Sequence, residues 1–92
     1  MDDFESRGRS IRSEAKRLVL DFMRSRPEAR PGREGIRQAQ IFRSCGFSWG
    51  DHKNATSSNQ QYWVVGLLRE LESDGLIERV AAGGPWRLVR AD

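Results

Sequence analysis

Apolar residues recur along this chain at helical spacing in three stretches and at strand spacing in two. In the first stretch Ile11, Ala15, Leu18, Val19, Phe22 and Met23 fall at i, i+4, i+7, i+8, i+11 and i+12, one continuous face of a helix. Ser10 is its expected N-cap, Arg12, Lys16, Arg17 and Arg24 fall outside the apolar face, and Pro27 predicts an end near Ser25. Residues 1–9 are expected to form a flexible start, ahead of one domain over residues 10–92.

Residues 26–35 carry two prolines, two glycines and three arginines and predict a loop. Ile36 can form an edge strand of one or two residues. A short second helix is expected from about Arg37 to Cys45, with Ile41, Phe42 and Cys45 inward and Gly46 as a left-handed stop. The stretch 46–56, GFSWGDHKNAT, is long for the turn of a helix-turn-helix, which ordinarily takes about three or four residues. Phe47 and Trp49 are its expected anchors, with a polar tip from Gly50 to Asn54.

The third helix begins among Thr56, Ser57 and Ser58. Both Ser57-x-x-Gln60 and Ser58-x-x-Gln61 satisfy a capping-box spacing, and either serine can hold the cap. Val64, Leu67, Leu68 and Leu71 cluster on its core face, and Trp63 is expected at the flank, half-buried against the long loop. Ser58, Asn59, Tyr62, Val65, Gly66 and Arg69 lie opposite, and Glu70, Glu72 and Asp74 make the far end acidic. Gly75 ends the helix. Leu76 to Val80 then predicts a strand, Ala81 to Pro85 a turn, and Trp86 to Val89 a returning strand with Trp86 and Leu88 on one face. A two-stranded ribbon is marginal by itself, so this one must pack on the helices, with Trp86 closing the core.

Ninety-two residues make a single domain with a modest core. No apolar run approaches the roughly 18 residues of a membrane span, and the charged N-terminus does not read as a secretory signal, so a cytoplasmic setting is expected. Cys45 is the lone cysteine, which leaves no internal disulfide; it reads as a small core residue, not a reactive thiol. The net charge of +3 is unevenly placed. Residues 1–46 hold eleven Lys/Arg against seven Asp/Glu, residues 47–92 five against six, and fourteen of the sixteen cations are arginine. A basic half suits phosphate, which arginine forks grip bidentately, and it equally suits a solvated surface.

Catalytic chemistry finds no constellation here. There is no GxSxG, Walker loop or HExxH, and Gly83-Gly84 sits in a hairpin, the wrong context for a nucleotide. Asp51 and His52 are neighbours without further ligands, which does not make a metal site. No enzyme activity, metal or cofactor is expected. Recognition chemistry is better represented. The start of the third helix reads Ser-Ser-Asn-Gln-Gln-Tyr, and Asn and Gln match adenine in the major groove. Gly66, which costs about 1 kcal/mol in a helix relative to Ala, implies a close neighbour.

Three segments, IRQAQIFRSCGF, YWVVGLLRELESDGLIERV and GGPWRLV, resemble the winged helix-turn-helix family over about residues 10–90. The resemblance implies an α+β, mostly helical fold of three helices and a C-terminal two-stranded wing. It also implies a module for double-stranded DNA, with the third helix in the major groove and the wing on the backbone. The residues it marks are Lys53, Thr56, Ser57, Ser58, Asn59, Gln61, Tyr62, Arg69, Gly84 and Arg87. The long insertion and the closing GLIER…WRL are also similar to winged-helix modules of restriction systems, namely the N-terminal domain of Mrr-like proteins and the C-terminal domain of methyladenine-dependent restriction endonucleases. That likeness implies a part that reads sequence or modification, in restriction or transcription regulation, with Trp49, Tyr62 and Trp63 as modified-base contacts. Neither family's nuclease motif is present. Some winged helices bind proteins instead, which keeps open a homodimer, or docking on a larger host protein, through Tyr62, Val65 and Trp49.

Overall fold

The computed structural model describes residues 3–47 and 57–91, and the side chains of residues 57–62 lie outside that description. Among the described residues, three α-helices and a two-stranded antiparallel sheet make an α+β, mostly helical structure. Helix α1 spans Phe4–Arg24, α2 Gln38–Ser44 and α3 Ser57–Ser73; strand β1 spans Ile77–Arg79 and β2 Trp86–Leu88.

Helix α1 starts two turns earlier than the apolar pattern predicts. Asp3, not Ser10, is the N-cap, and its carboxylate accepts from the Ser6 amide at 3.2 Å and the Ser6 hydroxyl at 2.8 Å. The added turns carry no core face. They are held by the cap, by the Arg9–Glu5 pair one turn apart and by the Arg7 guanidinium 5.6 Å from the Phe4 ring centre. Residues 4–9 are therefore helical.

The face of α1 that packs is rotated from the expected one. Ala15, Val19, Leu20 and Met23 are buried, whereas Ile11 is 61% and Leu18 43% exposed. The reason lies at one edge of the stripe. Arg12 and Lys16, expected outside it, reach across to α3 and its end, Arg12 to Glu70 and Lys16 Nζ to Asp74, just past the helix, at 3.0 Å. Their aliphatic stems cover the helix contact while their charges are paired at its rim. Both contacts advance one turn along each helix, so α1 and α3 run in the same direction there.

Helix α1 stops as expected at Ser25, ahead of Pro27. The following loop is pinned by a 3-10 turn, Pro27–Ala29, and by the Gly35 amide donating to the Glu28 carbonyl at 2.8 Å. Ile36 then pairs with Trp86 through two backbone bonds, amide to carbonyl in each direction at 2.8 and 2.9 Å. The one-residue edge strand is thus formed.

Helices α2 and α3 close alike. The Phe47 amide donates to the Phe42 carbonyl and the Gly46 amide to Arg43; the Leu76 amide donates to Leu71 and the Gly75 amide to Glu72. Each is the paired 6→1 and 5→2 ending that requires a left-handed residue, and glycine supplies it with φ 75° at Gly46 and 76° at Gly75. Ending α3 this way sends the chain straight into β1.

The hairpin register pairs Ile77 with Leu88, Glu78 with Arg87 and Arg79 with Trp86. Ile77, Trp86 and Leu88 face the helices and are buried, together with Val64, Leu67, Leu68 and Leu71 of α3 and Ile41 and Phe42 of α2. Trp86, the first residue of β2, fully buried and paired with Ile36, closes the core as expected. No helix among the described residues is long and apolar enough to cross a membrane.

Candidate functional site

The residues marked for recognition divide by position. Ser57, Ser58, Asn59, Gln61 and Tyr62 fall in the opening turns of α3, whose backbone is helical from Ser57. Their side chains, and all of Trp49, Lys53 and Thr56, lie outside the described residues. So do Asp51 and His52, and among the described residues no group of three potential metal ligands comes together.

Trp63 is 45% exposed and set at the flank of α3, as its spacing implies. Its ring meets Phe47 edge-to-face, with centres 6.0 Å apart and planes at 84°. The Arg12 guanidinium lies 5.9 Å from the same ring. Trp63 thus joins the loop start to α1, and part of its surface is already covered.

Arg69 is exposed on the outer face of α3, loosely paired with Glu72 at 3.5 Å. The acidic end of α3 is largely matched within the fold: Glu70 by Arg12, Glu72 by Arg69 and Asp74 by Lys16. Arg87 is more committed. Its Nε donates to Glu78 across the hairpin at 2.7 Å and its Nη1 to the Arg33 carbonyl at 3.0 Å. Arg87, marked for DNA by the resemblance, thus holds the loop before Ile36 to the hairpin.

Gly84 lies in the hairpin turn, where its amide donates to the Ala81 carbonyl at 2.8 Å and Gly83 takes φ 71°. The turn faces the start of α2 across an open cleft of about 330 Å³, lined by Arg37, Gln38, Ala39, Arg79, Gly83 and Gly84. Arg37 and Arg79 are not among the residues marked from sequence. Arg79 could have been found: it stands two positions after buried Ile77, so strand alternation turns it to the same face. There its guanidinium lies 4.6 Å from the Trp86 ring centre. Arg37 carries no such signal, because only the folding of the hairpin against α2 brings it to the cleft.

Charge distribution gives these two a further distinction. Arg9, Arg12, Lys16, Arg24, Arg26, Arg33, Arg69 and Arg87 all sit within ion-pair distance of a carboxylate. Among the described residues Arg17, Arg30, Arg37, Arg43, Arg79 and Arg90 make no ion pair with one. Cys45 is half-buried, and burial pushes its thiol above the usual range, so thiolate chemistry is disfavoured at this position. Comparison with protein-family models, with curated proteins and with solved structures finds no match for this chain.

Proposed function

We propose that this chain is a winged helix-turn-helix module that binds duplex DNA, with the start of α3 in the major groove and the hairpin turn on the backbone. The observation that carries the reading is the order of elements: helix, one-residue edge strand at Ile36, two helices, then a hairpin whose second strand pairs with Ile36. That order brings the hairpin turn to the start of α2, so that two elements border a common cleft. Support also comes from the Ser-Ser-Asn-Gln-Gln-Tyr opening of α3 and from six arginines without an acidic partner among the described residues. A role in reading sequence or base modification within a restriction or regulatory system belongs to the same proposal, with Tyr62 ahead of the partly covered Trp63.

The test is binding of labelled duplexes, modified and unmodified, across a salt series. Affinity is expected to fall steeply with salt, as counterion release requires. Absence of binding to any duplex at about 50 mM salt, where phosphate contacts are strong, would sink the reading.

A second reading, self-association or docking on a host protein, is favoured by one observation. Phe4, Ile11 and Leu18 recur every seven residues on α1, with Phe4 77% exposed. Sedimentation of the whole chain separates the two: a tight dimer whose formation abolishes duplex binding favours the second.

A further inference from the structure

The cleft between the start of α2 and the hairpin turn has a chemistry of its own. Its lining holds two arginines, one amide side chain, Ala39 and two glycines, and no carboxylate. Arg79 is fixed there, its guanidinium 4.6 Å from the Trp86 ring centre and its Nε–H buried without a hydrogen-bond partner. It is the one buried side-chain polar atom so placed among the described residues. A buried donor without an acceptor is costly, and the guanidinium's approach to the Trp86 ring adds a cation–π attraction that favours this position. Arg37 stands on the other wall, exposed, with no side-chain bond into α2.

We propose that this cleft is a phosphate-binding site, gripped by Arg79 from the hairpin and Arg37 from the α2 side. Guanidinium groups match phosphate oxygens in geometry as well as charge, and neither Arg37 nor Arg79 is paired with a described carboxylate that would compete for it. Gly83 and Gly84 leave no side chain between the occupant and the hairpin backbone. The identity of the occupant as a backbone phosphate of duplex DNA rests on the duplex-binding reading; the anion chemistry of the cleft does not.

Two measurements on the full chain test it. In the first, nitrogen-15 NMR follows the Arg79 Nε–H and the amides of Gly83 and Gly84 as inorganic phosphate replaces chloride at constant ionic strength. Saturable shifts are expected, and they should be lost in Arg37→Gln, a substitution at an exposed helix start. No saturable shift, or the same shift with chloride alone, overturns the site. In the second, duplex binding is measured across salt for the native chain, Arg37→Gln and Arg79→Gln, with thermal unfolding as the control for folding. Each variant should bind every duplex about three- to tenfold more weakly, with a salt slope shallower by about one. If the native chain binds duplex and Arg37→Gln matches it in affinity and slope, the cleft is overturned as a contact for duplex phosphate and duplex binding stands. Phosphate shifts in a chain that binds no duplex reverse that outcome: the site holds for a free phosphate and the duplex reading falls.

Discussion

The Arg12 guanidinium lies over Gly66, so close that a methyl group added at Gly66 would stand 2.9 Å from Arg12 Nη2. Gly66 is flanked on α3 by Trp63 one turn before and Glu70 one turn after, and Arg12 touches both. The glycine therefore makes room for a side chain from α1, not for a backbone. Because that neighbour is the far end of a flexible arginine, Gly66→Ala should be tolerated. Alanine gains about 1 kcal/mol of helix propensity. Displacing a half-exposed ion pair loses about 0.2–1 kcal/mol. The expected net effect is neutral to mildly stabilising. Chemical denaturation of Gly66→Ala, Arg12→Ala and the double variant checks this: the gain at Gly66 should be larger once Arg12 is gone.

Gly35 is the opposite case. A Cβ there would meet the Trp86 carbonyl oxygen and Val80 Cγ2, each at 2.8 Å, and Pro85 Cβ at 3.0 Å. Its φ is 84°, and its amide is already committed to Glu28. Neither the backbone nor its neighbours can give way without breaking the Ile36–Trp86 pairing next to it. Gly35→Ala should destabilise the fold by about 1–3 kcal/mol from the backbone conformation alone, with the contacts adding to it. A thermal midpoint unchanged from that of the native chain would show that the loop can move off the hairpin.

These two glycines also mark how far the sequence is legible. The core of α3, the glycine stops at Gly46 and Gly75, the edge residue Ile36 and the inward Trp86 were all readable, because each depends on local spacing or on a left-handed position. The rotation of α1 was not. An apolar stripe with Ile11 at one end and Arg12 beside it can face its partner through either edge, and the choice follows from Glu70 on a distant helix and Asp74 just past its end. The start at Asp3 was hidden for a different reason: those turns bury nothing, so no apolar period announces them. The same holds at the cleft. Arg37 and Arg79 are forty-two positions apart, and only tertiary packing makes them neighbours.

Glu28 offers a pH-dependent reading of the loop after α1. The Arg26 side chain bonds both of its oxygens, Nε to Oε1 at 3.2 Å and Nη2 to Oε2 at 2.8 Å. These bonds, helped by the residue's own backbone amide, hold the Glu28 carboxyl down at about 2, from an ordinary 4.5. A depressed folded-state value means stability that is present above the unfolded value and lost as pH falls toward about 2. Carbon-13 titration of the Glu28 carboxyl should therefore give a midpoint well below those of the exposed glutamates. Arg26→Ala should return it towards 4.5. A Glu28 midpoint that stays near the ordinary value in the native chain would mean the Arg26 bridge does not persist in solution.

Arg87 and Arg37 separate a structural arginine from a recognition arginine. Arg87 ties Glu78 to the Arg33 carbonyl, so its loss frees both the hairpin face and the loop before Ile36. Its side chain is largely covered, which places the pair above a fully solvated one in strength, and Arg87→Ala should cost about 1 kcal/mol of stability. Arg37 makes no ion pair with a described carboxylate, so Arg37→Gln should leave the free energy of unfolding within about half a kcal/mol of the native value. In duplex binding the order reverses: folded Arg87→Ala keeps the native salt slope, and Arg37→Gln flattens it. If Arg87→Ala instead flattens the slope at unchanged stability, its bonds to Glu78 and Arg33 yield to phosphate, and the hairpin face joins the contact surface.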